Sequence, residues 1–191
     1  MRLFIAVEIG SDVERAAGRV IDELKRRTEQ SAPRARVTWV KPHHLHLTVR
    51  FIGEVEHAVS ENILTALGRP FETPAFDLTI EGTVTFPPRR PPRVIWAGIT
   101  AGLNGLHSVE REARSRVDPW LASPEERDYN PHLTLGRVKI PAGFRPAVLL
   151  AGLEDAHFGS VQVGAVTLFE SRLSSTGPTY VALGRFALAH I

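Results

Sequence analysis

One four-residue pattern occurs twice in this chain, as His46-Leu47-Thr48-Val49 and as His132-Leu133-Thr134-Leu135. Each copy lies in a short apolar run, residues 45–52 and 133–138, rich enough in β-branched side chains to read as a strand. Side chains alternate faces along a strand, so each copy shows an imidazole and a hydroxyl to one side and an apolar pair to the core. A single His-x-Thr is usually a half-exposed surface pair. Two copies are harder to dismiss, and their flanks agree, with Lys41-Pro42 before the first and Asn130-Pro131 before the second. Their separation, 132 − 46 = 86 residues, is nearly half of the 191-residue chain, as two related lobes would require. Two such strands facing each other make a site with two imidazoles and two hydroxyls. That is equipment for moving protons around a phosphate.

The rest of the chain fits around these strands. Residues 2–8 read as a buried first strand. Ser11 with Glu14 forms a capping box, followed by apolar residues at helical spacing from Val13 to Leu24, with Arg26 and Arg27 near the helix end. A short strand is expected at 37–40, a helix over 57–67 stopped by Gly68, and strands at 76–80 (extended by 84–86) and 94–99. A third helix runs from about Leu103 to Val117 and another over 145–153; the last strands are 161–168 and 180–188, joined around Gly177-Pro178. The order, roughly βα(ββ)αββ given twice, implies an α+β fold in two similar lobes.

The strings LHLTVRFIGEV (45–55) and RDYNPHLTLGRVK (127–139) resemble those of the two-histidine (2H) phosphoesterases. Within that superfamily they resemble the bacterial and archaeal RNA 2′,3′-cyclic phosphodiesterases, once called 2′-5′ RNA ligases. The resemblance covers nearly the whole chain and implies one bilobal domain over 1–191, with antiparallel sheets, helices outside and the active cleft between lobes. It also implies metal-free chemistry, with His46 the proton donor to the leaving 3′ oxygen and His132 the base for water. Arg127, Tyr129 and Arg137 flank the second motif. Family strings often carry an arginine and an aromatic before the motif, which assigns Arg127 to phosphate contact and Tyr129 to base stacking; Arg137 joins them as a substrate contact. Gly136 stands where other members often carry a small residue such as Ala. Ser171, Leu173, Gly177, Pro178 and Tyr180 look like the family's C-terminal strand signature, read as architecture.

Composition narrows the alternatives. The formal charge of +2 excludes a polybasic nucleic-acid coat, and the absence of cysteine excludes disulfides and thiolate-rich metal sites. The apolar start, Leu3 to Val7, is too short for a signal peptide or membrane span, so a cytoplasmic monomer is the expectation. Residues 86–93 (FPPRRPPR) suit a stiff connector better than a polyproline ligand, and their arginines could line the cleft rim and meet RNA phosphates. His43, His44 and His46 could chelate a metal, but no carboxylate or cysteine lies nearby in sequence. His57, His107, His157 and His190 have no motif context.

Opening a 2′,3′-cyclic phosphate needs water deprotonated on one side and a ribose oxygen protonated on the other. Two histidines, one neutral and one charged, can do this near neutral pH. The hydroxyls of Thr48 and Thr134 can donate to the non-bridging oxygens as charge builds there. From residues alone, the pair is identified but not which member is acid. The expected partner is therefore RNA, or a nucleotide, with a 2′,3′-cyclic phosphate end; run backwards, the same site could make a 2′-5′ linkage. Competing readings are a related activity on small cyclic nucleotides or 2′-5′ oligonucleotides, and an RNA-binding module without catalysis. Pure binding would not need two imidazoles.

Overall fold

The computed structural model describes residues 1–88, 91–174 and 177–190. In chain order the elements are β1 (Arg2–Glu8), α1 (Gly10–Ser31), β2 (Arg36–Trp39), β3 (His46–Glu54), α2 (His57–Leu67), β4 (Phe76–Phe86) and β5 (Val94–Ala101). There follow α3 (Leu103–Val117), β6 (Leu133–Ile140), α4 (Pro146–Leu150), β7 (His157–Val163), β8 (Ala165–Ser174) and β9 (Gly177–Ala187). The strands form one antiparallel sheet in the order β7-β4-β5-β6-β3-β1-β8-β9, with β2 added to the end of β6. Its two halves, β3-β1-β8-β9 and β6-β5-β4-β7, each have a motif strand at the seam. The unit strand, helix, motif strand, helix is visible twice, as β1, α1, β3, α2 and as β5, α3, β6, α4.

Two constraints shape this sheet. β7 and β8 stand far apart in the strand order, yet only Gly164 separates them in the chain, so the sheet curls back on itself. The helices also cross the seam. α1 leaves β1 and packs on β7; α3 leaves β5 and packs on β3. Each helix thus starts in one half and covers the other. Val13, Ala17, Ile21 and Leu24 of α1 and Leu106, Val109 and Ala113 of α3 are buried beside Leu3, Ile5, Leu47 and Leu133. The alternating polar residues of the motif strands are left on the opposite, open face.

Several local expectations are corrected. Helix α1 starts at Gly10, where a φ of +73° turns the chain directly out of β1; Ser11 falls inside the helix and no side chain caps it. Arg26 and Arg27 lie before the last turn: Arg26 pairs with Glu23, and Arg27 also donates to the Leu149 and Ala151 carbonyls at the end of α4. The apolar stretch 161–168 is two strands broken at Gly164, a residue type that marks sharp corners. The helix expected over 145–153 is only Pro146–Leu150, and Gly177 and Pro178 begin β9. Arg89 and Arg90 of the proline-rich connector lie outside the described residues. Among the described residues, no helix is long and apolar enough to cross a membrane.

Leu133 is fully buried at the seam, so Leu133→Ala removes core volume where the halves meet. The expected loss is about 2–5 kcal/mol in urea unfolding. A loss well below that range would mean the seam collapses around the smaller side chain.

Candidate active site

β3 and β6 meet through one antiparallel pair, Leu47 with Leu133, both fully buried. Extending that register by one residue each way sets His46 across from Thr134, and Thr48 across from His132. All four side chains share the open face. Directly opposed residues are about 5 Å apart, and diagonal neighbours such as the two histidines about 7–8 Å. That gap admits one tetrahedral anion within hydrogen-bonding reach of both rings.

The two imidazoles are mounted alike. His46 Nδ1 lies 2.8 Å from the His44 carbonyl and His132 Nδ1 2.8 Å from the Asn130 carbonyl, each two residues back in the chain. A carbonyl only accepts, so each Nδ1 carries the hydrogen and each Nε2 is left for chemistry. Rings fix the remaining freedom. His46 is wedged against Phe4 (centroids 4.8 Å apart) and the edge of Tyr180 (5.2 Å), and His132 meets Trp96 at 5.0 Å. The wedge also tunes charge: burial pushes the His46 pKa below the ordinary histidine range. Arg137 and His44 act in the same direction, against the opposing His44 carbonyl.

At the last residue of each motif the strand bulges. Pairing of β3 with β1 skips Val49, and pairing of β6 with β5 skips Leu135. An extra residue reverses the alternation beyond it. Phe51 and Arg137, five residues after His46 and His132, are thereby turned onto the open face, where strict parity would bury them. Two adjoining hollows of about 650 and 430 Å³ meet at Thr48, Phe51 and Arg137. The larger contains His46 and Tyr180; the other contains His132 and Thr134. Arg137 forms no ion pair with any described residue, and Phe51 is 40% exposed beside the Arg2 guanidinium.

The bulge turns Arg50 the other way, into the interior. Its guanidinium grips Asp118 through two hydrogen bonds of 3.0 and 2.6 Å, lies 3.6 Å from buried Glu110, and donates to the Glu125 carbonyl at 2.8 Å. One buried cation thus ties β3 to the end of α3 and to the segment that delivers Asn130 and His132.

Of the residues expected to touch substrate, Arg137 is best placed. Arg127 lines the smaller hollow but is highly exposed and held by Glu125 through two contacts of 2.9 Å. Tyr129 lines it too, yet its ring packs edge-on to His107 and its hydroxyl is buried without a hydrogen-bond partner near Glu110, a setting that raises its pKa. Little of that ring is free for stacking. Phe51 was not singled out from sequence, and Tyr180, read as architecture, stands at the site. Ser171, Leu173, Gly177 and Pro178, read as architecture, also line the larger hollow. Among the described residues, no three His, Asp or Glu side chains converge as metal ligands; His43 and His44 pack ring edge to face instead.

A two-lobed antiparallel sheet carrying two His-x-Thr strands at its seam is the architecture of the two-histidine phosphoesterases. The chain belongs to the LigT-like phosphoesterase family, whose pattern matches residues 12–96 and 105–180. It is 32% identical to the RNA 2′,3′-cyclic phosphodiesterase of Methanothermobacter thermautotrophicus, covering 98% of this chain and 99% of that protein. Its counterpart of the same name in Thermotoga maritima is also 32% identical, over 96% and 93% of the two chains. Among solved structures, a Thermus thermophilus protein superposes with a TM-score of 0.80 at 28% identity, covering 98% of both chains. E. coli LigT complexed with 3′-AMP shares the fold, with a TM-score of 0.70 at 24% identity over 98% and 97% of the chains.

Two outcomes test this geometry. Arg50→Ala leaves Glu110 and Asp118 without their buried partner, and should cost about 3–5 kcal/mol in denaturant unfolding. Arg137→Gln removes a positive charge that disfavours imidazolium at His46. The His46 pKa should therefore rise, as followed by its ring proton resonances in an NMR titration. An unchanged or lower value would place the Arg137 charge away from that ring.

Proposed function

We propose that this phosphoesterase opens the 2′,3′-cyclic phosphate at the 3′ end of RNA and leaves a 2′-phosphate, with no metal taking part. The observation that carries this reading is the matched pair of imidazoles, each tethered through Nδ1 and each beside a threonine hydroxyl on one face. Near full-length similarity to proteins named for this activity supports it.

In the proposed reaction, His132 Nε2 takes a proton from water as the water oxygen bonds to phosphorus. The bond from phosphorus to O3′ breaks, and O3′ receives the proton from His46 Nε2. The reaction ends with His132 charged and His46 neutral, and exchange with solvent restores both. Thr48 and Thr134 donate to the non-bridging oxygens as charge accumulates there, and Arg137 supplies a fixed positive charge. The lowered pKa of His46 in the free protein makes it a strong acid once charged, and the incoming phosphate anion favours that charging. Phe51 offers the exposed ring for the terminal base. Arg127 reaches a phosphate by exchanging Glu125 for it, and Tyr129 serves as wall. With a 5′-hydroxyl in place of water as the nucleophile the same steps make a 2′-5′ linkage and free the 3′-hydroxyl, but in dilute solution water outcompetes RNA ends.

The product isomer is the first check: a 2′,3′-cyclic nucleotide treated in EDTA should give only the 2′-phosphate. Thr48→Ala or Thr134→Ala should slow turnover by roughly 10 to 1,000-fold, while either histidine loss costs more. An aryl ester with a good leaving group needs no proton on departure. It should rescue His46→Ala and not His132→Ala; the reverse pattern exchanges the two roles, and a rate that depends on added metal sinks the mechanism.

A further inference from the structure

Beyond Arg137 the open face does not end. It continues into a third hollow of about 890 Å³, lined by Phe86, Arg93, Arg137 and Lys139 and walled by prolines, among them Pro92 and Pro141. After the bulge at Leu135, Arg137 and Lys139 lie on one face of β6, about 6.8 Å apart along the strand. Arg93 comes alongside because Val94 pairs with Arg137, and the Val138 amide donates to the Arg93 carbonyl at 2.8 Å. All three cations are exposed, and none forms an ion pair with a described residue. No carboxylate is found among the described residues lining this hollow. Other arginines of the chain, among them Arg26, Arg27, Arg50, Arg116, Arg127 and Arg172, are held by carboxylates; these three cations are not. At the outer end Phe86 leaves 58% of its surface in water.

Another exit from the cleft has the opposite character. Past Phe51 lies a hollow of about 620 Å³ with Glu54, Glu56 and Glu125 in its lining and no lysine or arginine. An RNA chain entering the cleft by its 3′ end meets these two routes outward and a third, past His44 and Tyr180, which carries Glu8 and Glu14. Glu56, with Glu54 and Glu125 already held by the N-terminus and Arg127, offers the RNA phosphates no attraction; three unpaired cations attract them, and an exposed aromatic ring among cations is how single strands are held. Proline walls add stiffness, so less ordering entropy is lost on binding.

We propose that Arg93, Lys139 and Phe86 form a track for the single-stranded RNA immediately upstream of the cyclic end, so that the preferred substrate is an oligoribonucleotide rather than a mononucleotide. The inference rests on the reading that the cleft acts on RNA ends. Arg93 and Lys139 would meet successive backbone phosphates, and Phe86 would stack on an upstream base.

The test compares wild type with an Arg93→Ala/Lys139→Ala variant and with Phe86→Ala. Substrates are a 2′,3′-cyclic mononucleotide and an oligoribonucleotide of about eight residues with the same end, each assayed over a salt series. The wild type should favour the oligonucleotide and lose kcat/KM on it as salt rises. In the double variant, kcat/KM on the oligonucleotide should fall at least several-fold and the logarithmic salt slope flatten by about 1.4, two cations at about 0.7 each. Phe86→Ala should lose rate on the oligonucleotide alone, and all three proteins should treat the mononucleotide alike. Unchanged oligonucleotide kinetics and salt slope in the variants would overturn the track while leaving the hydrolase reading intact. So would a loss confined to Trp120→Ala, whose exposed ring lines the acidic exit. Should the wild type open no cyclic phosphate, the hydrolase reading fails instead. Fluorescence anisotropy of the oligonucleotide bearing a 2′-phosphate then decides the track: weaker binding by the double variant sustains it, equal binding overturns it.

Discussion

The molecule depends on the contact between Leu47 and Leu133, where β3 touches β6 through one backbone pair. Everything at the site follows from that register. It brings two copies of one motif within a phosphate's width and places each histidine across from the other copy's threonine. It also points four polar side chains away from the core by the alternation that buries the leucines. The helices reinforce the seam, since α1 and α3 each pack on the half opposite the strand they leave. Parting the halves would therefore expose apolar surface on both.

Around this seam, near-symmetry in backbone coexists with asymmetry in environment. Both histidines hang from the carbonyl two residues back, and both strands bulge at the fourth motif residue. The bulges deliver different side chains. One gives an exposed phenylalanine, the other an arginine, and the residues before them diverge as well: Arg50 is a buried ion-pair hub, whereas at Gly136 a Cβ would come within 2.9 Å of Trp39. The even smaller residue at this family position is explained by that indole. His46 sits in an aromatic wedge with a cation nearby, whereas His132 meets one indole at the mouth of the other hollow. Equivalent groups in inequivalent surroundings are what acid and base roles require.

The motif strands, their shared faces and the two-lobed α+β plan were readable from residue types and spacing alone. Period-two alternation survives as long as the strand is regular. It fails at Val49 and Leu135, where one added residue reverses the faces, so the placement of Arg137 could not be derived from its odd offset. Phe51 carried a usable signal, since it stands five residues after His46 as Arg137 stands five after His132. Arg50 carried none, and Tyr180 carried only a strand signature that read as architecture. Their roles arise from β9 curling round to His46 and from α3 crossing to β3, contacts between residues far apart in the chain. The boundary errors are local: Gly10 starts α1 earlier than its capping signal, and Gly164 splits one apolar stretch into two strands.

The central claim is that both imidazoles serve one anion site with Nε2 facing it. Nitrogen-15 NMR of the histidine rings during a titration with inorganic phosphate tests it most directly. In the free protein, His46 and His132 should show the hydrogen on Nδ1 when neutral. One equivalent of bound phosphate should then shift both Nε2 resonances along a single binding curve, and the His46 pKa should rise. Separate curves for the two rings, or a response from only one, would contradict a shared site.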